Sequence, residues 1–433
     1  MQCRPPAISL FSGALGLDLG LEAAGFEVRV AVECDPVAVE TIRRNRPNVP
    51  VIQKRIEEVS TAEILAAARL ERGEAALISG GPACQAFSTA GQRGSVADPR
   101  GRLFEEFLRI VVEAQPRFFL MENVKGLLSA AITHRPLALR GPGSPTLLPE
   151  EQLGSAFLLI AQEMRQSGYA VIFDVLNAAD FGVAQTRERL IFIGSRDGEA
   201  VRMPGPTHDR LGVQYRKPWV TLREALSGLD DAEPLYTPFP DSRMRFVRLI
   251  PHGGNWRDLP QDSQREALGG AYASWGGRAG FYRRLSWDRP APALTTHPSS
   301  KATMLCHPTL DRPLSVREYA RIQQFPDDWV FAGSTAKQYL QIGNAVPIGL
   351  ATAVGCSIRC TMDNRTQRVL QGISCPNSAL LQRLRKRPLT ILNPPRMRAV
   401  PGTARDWSGG PARRVAFSEF ELQGALPIEV GVR

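Results

Sequence analysis

Long uninterrupted apolar runs are missing from this chain: no segment approaches the ~18 residues that a membrane-spanning helix requires. The stretch from Ala7 to Phe26 could be taken for a leader, but Asp18 and Glu22 interrupt it and its glycines suit a turn better, so a soluble protein is expected. Histidine is scarce, with five residues scattered along the chain, and the seven cysteines show no paired spacing of the zinc-ribbon kind. No metal site is expected, and unpaired cysteines suit the reduced interior of the cytoplasm. Internal repeats are absent as well, which excludes a repeat array. An acidic balance is also lacking. The net charge is +10, and twelve basic against five acidic residues place +7 of it after residue 360. A polyanionic partner fits this balance, and the near-neutral body would meet phosphate through local basic patches.

With 433 residues the chain can form two or three domains. Strands and helices alternate through the first 200 residues. Ala7 to Phe11 reads as a short strand, followed by Gly13, Gly16 and a helix with Leu17, Leu21 and Ala24 on one face. Val28 to Val32 is a second strand ending at Glu33, after which Asp35 and Pro36 suit an N-cap and first helical turn. Ala75 to Ile78 is a further strand, and Arg102 to Gln115 a helix burying Leu103, Phe104, Phe107, Leu108, Val111 and Val112. Phe118 to Met121 is the next strand, stopping at Glu122. The alternation predicts an α/β fold, a doubly wound Rossmann-like parallel sheet with helices on both faces. Ligands of such sheets collect beyond the carboxyl ends of the strands, where Glu33, Cys84 and Glu122 are expected.

Residues 134–150 are too rich in proline and glycine for regular structure, and a helix over 156–167 and a strand pair, 170–176 and 189–194, follow. After Pro204 the alternation ends. The spacing predicts four parts: a first domain over 1–205, a smaller irregular domain over 206–333, a return to the first domain over 334–362, and a basic extension over 363–433. Ser315 and Glu318 form a capping box that should start a helix through Gln323. The extension reads as a mostly disordered phosphate-binding arm; the alternative is a short helix docked through Leu380, Leu381 and Leu384.

Five collinear segments carry the chemistry: ISLFSGALGLDLGL at the front, GGPACQAFS around Cys84, MENV around Glu122, QTRER from Gln185 to Arg189, and QIGNAVP from Gln341 to Pro347. Together they resemble the cytosine carbon-5 DNA methyltransferases of bacterial restriction-modification systems, over about Ile8 to Leu350. The resemblance implies S-adenosyl-L-methionine as methyl donor, duplex DNA as partner, a separately encoded restriction endonuclease beside it, and a monomeric enzyme. It makes the first domain the catalytic and donor-binding one and the small irregular domain the target-recognition one. Cys84 is then the nucleophile, since carbon 5 of cytosine becomes reactive only after a thiolate adds at carbon 6. Glu122 would meet the charge developing on ring nitrogen 3, and Asn123 would hold the loop. Arg187 and Arg189 are assigned to the cytosine carbonyl oxygen and the active-site carboxylate, with a structural ion pair as the alternative. In the donor site Phe11 would pack against the ligand beside the Gly13 and Gly16 turn. Glu33 would hold ribose hydroxyls, Leu103 line the pocket, and Asn344 and Val346 close it. Three positions depart from the family pattern: Ala83 where a proline usually precedes the nucleophile, Leu15 where glycine is frequent, and Arg55 where an aspartate is frequent.

Such an enzyme must flip its base from the duplex. Arg243, Arg245, Arg248, Trp256, Arg257, Arg278, Tyr282, Arg283 and Arg284 mix cations with aromatics as contacts to phosphates and base edges require. Two competing activities keep the same motifs: cytosine-5 methylation of transfer RNA, and DNA binding without catalysis. A nicotinamide dehydrogenase would explain the glycine turn and Glu33 but neither Cys84-Gln85 nor QTRER.

Overall fold

Short, apolar strands build the centre of the protein. The computed structural model describes residues 4–82, 103–135, 139–140, 143–213, 215–273, 279–364, 373–385 and 423–424. Its first half runs β1 (Pro6–Leu10), α1 (Gly16–Ala23), β2 (Glu27–Val32), α2 (Pro36–Asn45), β3 (Val51–Ile52), α3 (Thr61–Ala68), β4 (Leu77–Gly80), α4 (Leu103–Ala114), β5 (Phe118–Val124), α5 (Ser155–Gln166) and β6 (Ala170–Asn177). After the two-residue β7 (Gln185–Thr186) comes β8 (Glu188–Ser195). Side chains alternate across the sheet. Phe119 and Met121 join a core with α3, α4 and α5, whereas Phe118 and Leu120 join one with Leu17 and Leu21 of α1. Asp35 caps α2 as expected, accepting from the Val37 amide at 2.8 Å, with Pro36 in the first turn. Val112 was expected inside but is 38% exposed, because α4 turns Ile110 and Ala114 inward instead.

Two features of the sheet differ from the expectation. Its central strands are parallel in the order β5-β4-β1-β2-β3, but β8 lies antiparallel between β5 and β6. The connection over 178–187 is shorter than the dozen or more residues of a parallel crossover, so the chain turns back. The partner thus supplied lets β5 run on to Val124, with Glu122 opposite Ile191, so Glu122 lies inside a strand rather than past its end. It still clears β4, whose pairing with β5 stops at Gly80↔Met121. The order reverses between β1 and β4, and their carboxyl ends flank the crevice where a doubly wound sheet binds ligands.

Beyond β8 the elements are short: β9 (His208–Asp209), β10 (Lys217–Pro218), α6 (Leu222–Ala225), α7 (Asp241–Val247), α8 (Gln261–Leu268) and β11 (Ala291–Pro292). Residues 239–306 gather a core of their own around Phe246, Trp256, Leu259, Tyr282 and Met304. The capping box forms as read, with the Ser315 Oγ accepting from the Glu318 amide at 3.1 Å, and starts α9 (Val316–Ile322). Next come α10 (Thr335–Asn344) and α11 (Ile348–Asn364). The stretch Thr335–Asp363 is long and apolar enough to cross a membrane, yet half of its apolar window is buried inside the protein. α11 packs on α1 so closely that a Cβ on Gly20 would collide with the Ala351 Cβ.

Residues 373–385 and 423–424 depart from the disordered arm, and Ser378–Arg385 follows the docked-helix alternative. β12 (Ile373–Cys375) extends the main sheet beside β6, α12 (Ser378–Arg385) follows, and β13 (Gln423–Gly424) pairs with β12. Leu380 and Leu384 sit in the main core. The physical reason is the open edge of β6, whose unpaired amides and carbonyls β12 satisfies while α12 contributes leucines to the core. Leu384→Ala should therefore lower stability by about 2–4 kcal/mol, measured by urea unfolding. Unchanged stability would mean that α12 does not dock.

Candidate active site

The turn after β1 is built from backbone conformations that side chains rarely adopt. Phe11, Gly13 and Leu15 have φ of 55°, 52° and 66°. Left-handed backbone costs a residue other than glycine about 1 kcal/mol or more, so Leu15 carries strain that a glycine would not; its side chain is buried in return. Glu33, past the end of β2, locks the turn. One carboxylate oxygen accepts from the Gly13 amide at 2.7 Å and the other from the Cys34 and Asp35 amides, each at 2.8 Å. A Cβ on Gly13 would meet nothing within 4 Å, which leaves open space beside this acidic turn. Gly16 instead is a close approach: a Cβ there would stand 2.7 Å from the Val346 carbonyl oxygen, so Val346 abuts the turn while Asn344 stays exposed. Phe11 and Leu103 are both half-buried against the same core. Asp18 entered the sequence reading only as an interruption of an apolar stretch; it is buried in α1, and burial pushes its carboxyl up to about 7. Arg55 follows β3 and lies 3.8 Å from Glu57, a surface pairing.

On the other side of the crevice Glu122 meets Arg189. Arg189 Nε lies 2.6 Å from Glu122 Oε1, and each side chain is only 12% exposed. Burial lowers the basicity of the Arg189 guanidinium and the Glu122 charge restores part of it; an arginine stays charged throughout. Asn123, expected to hold the loop, donates to the carbonyl of Pro82, the last described residue before it, at 3.3 Å. Cys84 lies outside the described residues, as does Ala83. A Cβ on Gly81 would stand 2.9 Å from Glu122 Oε2. Gly81→Ala should thus push the carboxylate off Arg189 and slow turnover by about 10- to 100-fold, with stability lowered by up to about 2 kcal/mol as the buried pair loosens. A rate within twofold of the parent would separate Gly81 from the site.

Arg187 does not share the Arg189 environment. It lies between β7 and β8, buried, with Nη1 donating to the Leu294 carbonyl at 2.8 Å and Nη2 to the Gly343 carbonyl at 2.6 Å. The regular alternation that would have put both arginines on one face is broken there, because β7 pairs with β11 and β8 with β5.

The aromatic and cationic set of the smaller region divides. Trp256 and Tyr282 are core residues, 6% and 2% exposed. Arg284 is buried too, donating to the carbonyls of Val247, Ile250, His307 and Leu310 and pairing with Asp311. These three are corrected from surface contacts to internal braces. Apolar packing claimed the rings, and four backbone carbonyls with the Asp311 carboxylate claimed the guanidinium. Arg245, Arg248 and Arg257 are exposed, Arg257 stacking 4.8 Å over the Trp256 ring, and Arg243 and Arg283 are half-buried. Arg278 lies outside the described residues.

The sequence pattern of the family described as C-5 cytosine-specific DNA methylase matches residues 6–360. The chain is similar to the Type II methyltransferase M.Sau96I of Staphylococcus aureus, 39% identical over 351 residues that cover 80% of this chain and 74% of that one. It is likewise similar to the Type II methyltransferase M.PspPI of Psychrobacter sp. (strain TA137), 38% identical over 81% of this chain and 78% of that one. Among solved structures, a DNMT2 variant from Spodoptera frugiperda superposes with a TM-score of 0.53 at 15% identity, covering 82% of this chain and 99% of that one, a likeness of fold.

Proposed function

Since the chain belongs to the C-5 cytosine-specific DNA methylase family, we propose that it methylates carbon 5 of a cytosine flipped out of a specific duplex DNA sequence, through a covalent adduct with Cys84. The observation that carries this reading is the buried Glu122–Arg189 pair at the mouth of the crevice, with Pro82 bound to the neighbouring Asn123. Cys84 follows Pro82 by two positions in the sequence. The acidic turn across the crevice, with open space at Gly13, fits a ligand carrying ribose hydroxyls and a positive centre. We assign S-adenosyl-L-methionine to it, held by Glu33, Phe11, Gly13, Gly16, Leu103, Asn344 and Val346. When bound, it supplies a methyl group on a sulfonium, an electrophile that needs no further activation.

In the proposed reaction the Cys84 thiolate forms a bond to carbon 6 of cytosine. The ring's electron pair moves toward nitrogen 3, where Glu122 supplies a proton or a hydrogen bond and Arg189 steadies the carboxyl. Carbon 5 would then bond to the methyl carbon as that carbon's bond to the donor's sulfur breaks, leaving a neutral thioether, and nitrogen 3 would return its proton to Glu122. Loss of the carbon 5 proton to a base expels the thiolate from carbon 6 and restores the double bond. Arg187 positions rather than reacts, since its Nη1 and Nη2 are bound to backbone carbonyls. Residues 1–205 and 334–362 form the catalytic domain in this reading and 206–333 choose the target, with Arg243, Arg245, Arg248, Arg257 and Arg283 as the contacts available to DNA.

We further propose a separately encoded restriction endonuclease, a reading the relatives' Type II designation supports, and a monomer acting on cytoplasmic DNA. Bisulfite sequencing of DNA from cells expressing the gene should show one short sequence methylated at a single cytosine. Unmodified DNA together with methylated transfer RNA would move the activity to RNA, and no methylation of either would leave a binding protein. Exchanging residues 231–312 with a relative's segment should change the methylated sequence, and an unchanged sequence would place recognition elsewhere.

A further inference from the structure

We propose that Gln323 is a positioning residue that couples the turn closing the methyl-donor site to the catalytic arginine segment. The inference rests on the reaction proposed above. Gln323 follows α9, is fully buried, and joins three separate parts of the chain. Its Oε1 accepts from Gln185 Nε2 at 2.9 Å, at the start of the segment that carries Arg187 and Arg189. Its Nε2 donates to the carbonyls of Ile342 at 2.7 Å and Ala345 at 3.2 Å, on either side of Asn344. Its own carbonyl accepts from the Ile348 amide at 3.3 Å, fixing the start of α11.

The same turn is gripped a second time. Arg187 Nη2 donates to the Gly343 carbonyl, and Gln185 Oε1 accepts from the Leu294 amide at 2.8 Å. The last carbonyls of α10 lack the full amide partners of a helix interior, the Ile342 carbonyl taking only the shared Ala345 amide at 3.3 Å besides Gln323, and a cation is favourable at that negative end. The protein satisfies them with side chains of the catalytic segment, directly through Arg187 and indirectly through Gln185 and Gln323. Movement of the donor-closing turn is therefore transmitted to the residues leading into Arg189. A surface glutamine would have water as an alternative partner; Gln323, Gln185 and Arg187 are buried, so breaking one link leaves polar groups unpaired.

Gln323→Leu keeps the volume and removes every side-chain hydrogen bond. Gln323→Glu keeps an acceptor for Gln185 but sets a carboxylate against the Ile342 and Ala345 carbonyls. Calorimetry with S-adenosyl-L-methionine alone, single-turnover methyl transfer on one duplex, and affinity for that duplex would be measured on parent and variants of the full chain. Both variants should bind the donor at least about tenfold more weakly and transfer methyl at least about tenfold more slowly at saturating donor, with duplex affinity within about twofold. Donor affinity and rate per folded molecule equal to the parent's would overturn the coupling, as would a loss that only tracks unfolding in a melting curve. Should the leucine variant fail to fold, the glutamate variant decides alone by the same criteria. A parent that binds the donor without methylating DNA would defeat the reaction rather than the coupling, because donor affinity is read without DNA.

Discussion

Cys84→Ser is expected to lower methyl transfer by at least about a thousandfold, because the proposed reaction starts with addition of the Cys84 thiolate at carbon 6 and a serine hydroxyl is far less ionised than a thiol at neutral pH. The parent, incubated with methyl donor and duplex DNA containing 5-fluorocytosine, should form a complex that survives denaturation, since fluorine at carbon 5 cannot leave as a proton does. The serine variant should form none while binding the same duplex with affinity near the parent's. A denaturation-resistant complex with the serine variant would assign the nucleophile to another residue. Among the cysteines of the described residues, Cys306 and Cys375 are buried, and burial pushes both thiols up to about 12, which disfavours the thiolate.

Glu122→Gln should slow the single-turnover rate by about 10²- to 10⁴-fold and leave duplex affinity within a few-fold. Glutamine keeps the shape but cannot donate a proton to ring nitrogen 3, and its interaction is needed most where charge develops. The change also removes the countercharge of Arg189, whose side chain is only 12% exposed, so stability should fall by about 2 kcal/mol. Rate and stability are thus separate readouts. A variant with lowered stability and an undiminished rate would make the Glu122–Arg189 pair a structural bridge.

Much of this site was legible because its local rules are short-range. An acidic residue at the end of β2, a glycine turn after β1 and the Ser315–Glu318 capping box each depend on neighbours within a few positions, and each formed where the residues indicated. The expectation for Asn123 came from its place beside Glu122. Trp256, Tyr282 and Arg284 show the limit. Nothing local distinguishes an aromatic that stacks on a base from one that fills a core, or a guanidinium that meets phosphate from one that binds backbone carbonyls. Only packing decides between them.

The sequence by itself determined the alternation of elements, the residue types that face the crevice, and the order of the motifs along the chain, since periodicity, caps and turns are written within windows of a few residues. Tertiary structure decided which of those residues act together. The short return from β6 made β8 antiparallel and so brought Arg189 to Glu122, and the separate pairing of β7 turned Arg187 away toward Leu294 and Gly343. The open edge of β6 drew in β12, and with it α12, from within a segment read as a disordered arm. Each outcome turns on competition among distant segments for hydrogen-bond partners and buried volume, and that competition is settled only when the whole chain packs.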